Sequence, residues 1–96
     1  MHAMVRTYSG EGAPQLMDLL LARKVEVEAI LRQVDGLVSY HLVTTDEGGM
    51  TITVCRDKKG TDDSLDRARA WLKDNANHIA VDVPVVTEGT VHLHIT

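Results

Sequence analysis

GLVSYHLVTTDEGGMTITVCRD, residues Gly36–Asp57, is the stretch whose reading decides the fold. Two runs, Leu37–Thr44 and Met50–Arg56, alternate in character and are rich in Val, Ile, Thr and Tyr, which suit a pleated, half-buried surface. Asp46-Glu47-Gly48-Gly49 between them has the composition of a turn. The stretch reads as a β-hairpin. On its first strand Val38, Tyr40 and Leu42 share one face; Leu37, Ser39, His41 and Val43 share the other. On its second, Met50, Ile52 and Val54 oppose Thr51, Thr53 and Cys55.

Working outward, each flank holds one helical stretch and one strand. Upstream, Ala3–Tyr8 alternates as a strand and Ser9-Gly10-Glu11-Gly12 breaks it. Pro14 opens a long helix whose apolar stripe runs through Leu16, Leu20, Val27, Leu31 and Val34, with Gly36 as a left-handed cap. Met17, Leu21 and Val25 add a second apolar edge to it. Downstream, Thr61 is the expected N-cap of a second helix, with Leu65, Ala68, Leu72, Ala76 and Ile79 as its buried stripe and Trp71 beside it. Val85–Gly89 is extended, and Thr90–Thr96 is expected to form the last strand.

The order βαββαβ predicts an α+β, ferredoxin-like fold: a four-stranded antiparallel sheet, order 4-1-3-2, with two helices on one face. Residues 1–96 make one domain. The apolar sets Ala3/Val5, Val38/Tyr40/Leu42, Ile52/Val54 and Val91/Leu93/Ile95 are expected beneath the helices. The opposite face then collects Met4, Arg6, Tyr8, Ser39, His41, Val43, and the Thr51/Thr53/Cys55 and His92/His94 sets. It is poor in acids and lysines, so it is expected to be covered by a second copy, sheet against sheet.

Composition excludes several classes of function. The net charge is −4 and no Lys/Arg stripe stands out, so nucleic acid is not an expected partner. One Trp, two Tyr and no Phe leave no platform for stacking bases. Cys55 is the only cysteine, which fits a reducing cytoplasm, the expected location. No apolar run approaches the ~18 residues that cross a bilayer, so no membrane partner is expected.

Four groups of residues carry candidate chemistry. Arg6 and Tyr8 share a face of the first strand, where a cation and a phenol can hold the oxygens of a phenolic or carboxylate ligand. His92 and His94 have a metal-ligand spacing on a strand, and His41 is placed to join them. No acidic residue completes that set, so no metal is assigned and the simpler reading puts these histidines in an interface or cavity. Trp71 is a core anchor or a substrate platform. Cys55 reads as a small buried residue unless a cation lowers its pKa. A chamber of ~300 Å3 or more near Arg6, Tyr8, His41 or Trp71 is expected if the chain binds or transforms a small molecule.

The order of elements, Gly36–Tyr40 opening the second strand and Glu88-Gly89 before the last one resemble the antibiotic-biosynthesis-monooxygenase-like, dimeric α+β barrel proteins. The resemblance implies a homodimer with its helices outside. For some members it implies oxidation of a small aromatic or enolisable compound without a cofactor, or haem degradation. Haem-degrading members carry a Trp at the end of the third strand, an Asn early in the first and a His on the second helix. Here the third strand ends Val54-Cys55-Arg56-Asp57 and the first contains Arg6, Thr7 and Tyr8; His78 alone has a counterpart. The two functions left open are a cofactor-free monooxygenase-like enzyme and a non-catalytic small-ligand-binding or oligomerisation domain.

Overall fold

A computed structural model describes all 96 residues, Met1–Thr96. It contains β1 (His2–Tyr8), α1 (Ala13–Ala22), α2 (Lys24–Leu31), β2 (Leu37–Thr45), β3 (Gly48–Cys55), α3 (Lys58–Asn75) and β4 (Val85–Thr90). The sheet is antiparallel with order β2-β3-β1-β4, the expected topology. Gly36 has φ +83, the left-handed conformation expected of it, and its carbonyl accepts from Arg56 N at 2.9 Å.

The hairpin turn is tighter than expected. Thr45 pairs with Gly48, so only Asp46 and Glu47 lie in the loop. Val38 is the bulge, passed over between Leu37 and Ser39. Three boundaries also move. The long first helix is two helices, broken at Arg23 (φ −112, ψ 22), which leaves Leu21 and Val25 exposed while Met17 is buried. The later helix starts at Lys58, where Asp57 accepts from Gly60 N at 3.1 Å; Thr61 lies inside it, fully buried. The last strand is Val85–Thr90, after Pro84, and Val91–Thr96 continues without regular structure.

The largest correction concerns the two faces of the sheet. Met4, Arg6, Tyr8, Thr51, Thr53 and Cys55 are all buried beneath the helices, where Ala3, Val5, Ile52 and Val54 were expected. Register explains the arrangement. Tyr40 pairs with Thr53 and Thr53 with Met4; Leu42 pairs with Thr51 and Thr51 with Arg6. Tyr40 and Leu42 therefore lie beneath the helices as expected, beside the threonines. The other face carries Val5, Ile52 and His41 in one row and Thr7, Met50 and Val43 in the next, with no helix over it. His41 and Val43 are exposed there.

The core between α1, α3 and the sheet contains Tyr8, Leu16, Met17, Leu20, Trp71 and Ile79. Leu16 has no exposed surface. Leu16→Ala is expected to cost about 3 kcal/mol, the usual range for emptying such a site, read as a lower midpoint in urea at unchanged slope.

Candidate functional site

β1 is a central strand, so Arg6 and Tyr8 are fixed by hydrogen-bonded neighbours on both sides. Both point beneath the helices and are only 3 % exposed. β3 brings Thr51 beside Arg6, and β2 brings Tyr40. From above, α2 contributes Val27, Ile30 and Leu31, and α3 contributes Ala68, Trp71 and Leu72. These residues, with Leu20 of α1, enclose a chamber whose polar groups all come from the sheet, apart from the Trp71 indole. α2 packs on α1 and α3, and its Val27 and Leu31 face Tyr40 of β2 across the space beneath it.

That chamber encloses about 30 Å3, room for a single water and far short of ~300 Å3. A second space adjoins it. A groove of about 410 Å3 runs between α2 and β2, bordered by Lys24, Glu28 and Arg32 on the helix side and Leu37, Val38 and Ser39 on the strand side. Val27, Leu31 and Tyr40 belong to both linings, so these three side chains separate groove from chamber.

The electrostatics of the chamber are one-sided. None of the chain's ion pairs includes Arg6, and no side-chain hydrogen bond does. The Thr51 hydroxyl is buried without a partner, as is Thr53 deeper under the helices. Burial pushes the Tyr40 phenol above its ordinary pKa; the Arg6 charge opposes that shift and Tyr8 adds to it. Tyr40 thus stays a protonated hydrogen-bond donor at neutral pH. The Thr51 hydroxyl beside this phenol also opposes the shift, although it stands short of full hydrogen-bond geometry.

A polar cluster closes the far end. Trp71 Nε1 donates to Glu26 Oε1 at 2.8 Å, and Arg23 binds Glu26 at 2.7 Å and Asn75 at 3.2 Å while lying 5.5 Å from the indole centre. This cluster sits on the break between α1 and α2. Glu26→Ala is expected to free the indole N–H and shift the emission of Trp71, the only tryptophan, to longer wavelength.

Of the six candidate residues, Arg6, Tyr8 and Trp71 converge. His41 lies on the opposite, helix-free face, and His92 and His94 are exposed in the segment after β4. No group of three or more His, Cys, Asp or Glu side chains is placed to hold a metal ion. His2 binds Glu88 at 2.9 Å, and Lys58 binds the same oxygen. Cys55 faces the helices, fully buried, and burial, with Asp57 and Asp63 adding to it, raises its thiol pKa, the reverse of an activated nucleophile. Tyr40 and Thr51 are the chamber residues that the sequence reading missed; their pairing with β1 through β3 was the available signal.

Two carboxylates give the fold an acid limit. Glu26 is held below its ordinary pKa by Trp71 and then Arg23, and Glu88 by His2 and then Lys58. Each folded value lies below the unfolded 4.5, so the stabilisation is complete above that pH and is lost as pH falls through the lowered values. Urea midpoints are expected to decline below pH 4.5, and less steeply in a Glu26→Gln/Glu88→Gln double variant.

The fold defines a class: a ferredoxin-like antiparallel sheet with helices on one face. No family model and no curated protein matches the sequence. Solved structures do. A protein of unknown function from Nitrosomonas europaea superposes with a TM-score of 0.73 at 15 % identity, over 99 % of this chain and 91 % of that one. MhuD, solved as a point mutant with two manganese protoporphyrin IX bound per active site, gives 0.71 at 12 % identity, over 100 % and 99 %. SnoaB, a cofactor-independent oxygenase from Streptomyces nogalater, gives 0.67 at 18 % identity, over 98 % and 95 %. The likeness extends over the whole chain, and the structural neighbours include antibiotic-biosynthesis-monooxygenase-like proteins. No helix is long and apolar enough to cross a membrane.

Proposed function

We propose that the chain forms a homodimer, sheet against sheet, and that each subunit takes a small aromatic or enolisable compound between its own sheet and helices. The observation that carries this reading is the chamber itself: Arg6, Tyr8, Tyr40 and Thr51 are gathered beneath helices whose facing residues are almost all apolar. A chamber serving stability alone is better filled with aliphatic side chains, because each buried polar group needs a partner. The likeness to SnoaB favours cofactor-free oxidation as the reaction. In that reaction Arg6 and Tyr8 polarise an enolisable oxygen, the adjacent C–H gives its proton to water because no base lines the chamber, and the guanidinium holds the resulting enolate, which molecular oxygen then oxidises.

Oxygen consumption with anthrones and other enolisable aromatics tests turnover. Uptake by the wild type that falls at least tenfold in Arg6→Gln supports the enzyme. Binding without uptake across the panel favours the second reading, a dimer that holds a ligand without turning it over. Both readings require Tyr40, Val27 and Leu31 to part and join the small chamber to the groove. Haem degradation is not proposed. β3 ends at Cys55 without a Trp, and His78 is exposed beyond the end of α3.

A further inference from the structure

Resting on the small-ligand reading above, we propose that this site binds its ligand as an anion: a one- or two-ring apolar molecule with a single ionised oxygen acid, carboxylate or enolate. The charge sits on Arg6, and the apolar body lies toward the groove between α2 and β2.

Arg6 is almost wholly buried, and it has neither counter-ion nor hydrogen-bond partner. None of the 11 residues around the chamber is acidic. The remaining polar groups are hydroxyls and one indole N–H already given to Glu26. Thr51, directly opposite Arg6 in the β1–β3 register, has a buried hydroxyl with nothing to bond. The free capacity of the chamber is therefore a full positive charge plus hydroxyl donors; the nearest carboxylates, Glu26 beyond the indole and Glu28 at the groove's edge, are each paired with an arginine. A neutral ligand leaves the guanidinium desolvated and uncompensated. An anion supplies the missing charge in a water-poor space, where such a pair is strongest, and a second oxygen can accept from Thr51. The adjoining groove, about 410 Å3 and lined largely by Val27, Leu31, Leu37, Val38 and Leu42, suits an apolar body of one or two rings.

Calorimetric titration of matched acid and amide pairs tests this: benzoate with benzamide, and 1- and 2-naphthoate with their amides, at pH 7.5. The wild type is expected to bind at least one acid ten times more tightly than its amide. Arg6→Gln is expected to abolish that preference while leaving amide affinity within threefold, and Arg6→Lys to keep part of it. Thermal shifts by the same compounds, with circular dichroism of each variant, establish that a loss of binding is not a loss of fold. Equal affinity for acid and amide, or a preference that survives in Arg6→Gln, overturns the anion assignment and leaves the small-ligand reading standing. No binding of any panel member by the wild type overturns both.

Discussion

Arg6→Met is expected to make the ligand-free protein more stable. Most core substitutions destabilise, so the sign of this one is diagnostic. In the native protein the Arg6 side chain is almost wholly buried and receives no carboxylate in return. Exchanging buried ionic groups for apolar side chains of similar volume is neutral to stabilising by roughly 1–4 kcal/mol even where the charges were paired. Methionine is unbranched and flexible enough to follow the path of the arginine stem among Tyr8, Tyr40 and Trp71. A gain of about 2 kcal/mol is expected, which raises the melting temperature by roughly 8–16 °C for a domain of this size. Urea unfolding at fixed protein concentration measures it. A loss of stability would mean that Arg6 is a structural member of the core. A gain together with lost acid binding is the mark of a residue kept for function at a cost to the fold.

Ile52→Asp is expected to leave the subunit folded and to separate the proposed dimer. Ile52 lies at the middle of the helix-free face, in register with Val5 on one side and His41 on the other. Val54, Met50, Val43 and Val85 extend that apolar surface, and Val43 and Val85 are plainly exposed on the isolated chain. Two such faces packed about a two-fold axis bury each copy of Ile52 near its mate or the mate's neighbours. An aspartate there places a desolvated charge in each subunit, and the dimer is expected to weaken at least a thousandfold, roughly 4 kcal/mol. The monomer tolerates it because no helix covers the position. Sedimentation equilibrium reads the result. A wild type that is monomeric at micromolar concentration, or a variant that stays dimeric, would remove this face as the interface.

Both variants concern the point where the sequence reading erred, and the error has a physical source. Every strand here is apolar or semi-polar on both faces. Judged strand by strand, Val5, Ile52 and Val54 are the more hydrophobic choice for the helix side, and Arg6, Thr51 and Thr53 look misplaced there. Hydrophobicity does not decide between faces when both are largely apolar. Register does decide. A turn of either two or four residues between β2 and β3 sets even-numbered positions beside odd ones, so Tyr40 and Leu42 must share a face with Thr51 and Thr53. That parity was legible in Gly36–Asp57.

The break at Arg23 had no such signal. No glycine or proline marks it, and the apolar spacing from Leu16 to Val34 continues through it. What accompanies the break is a set of contacts to residues far along the chain, Trp71 and Asn75, together with nearby Glu26. Beyond the break, α2 contributes Val27 and Leu31 to the linings of both chamber and groove.

Local pattern by itself thus determined the element order, the sheet topology and the presence of Arg6, Tyr8 and Trp71 among the residues to watch, because periodicity, turn chemistry and crossover handedness are short-range properties. Tertiary structure alone decided which face of the sheet the helices cover, that the first helix bends at Arg23, and that His41, His92 and His94 stay apart from Arg6. Those outcomes depend on register between strands and on contacts across the core, where distant residues meet and neighbouring ones part.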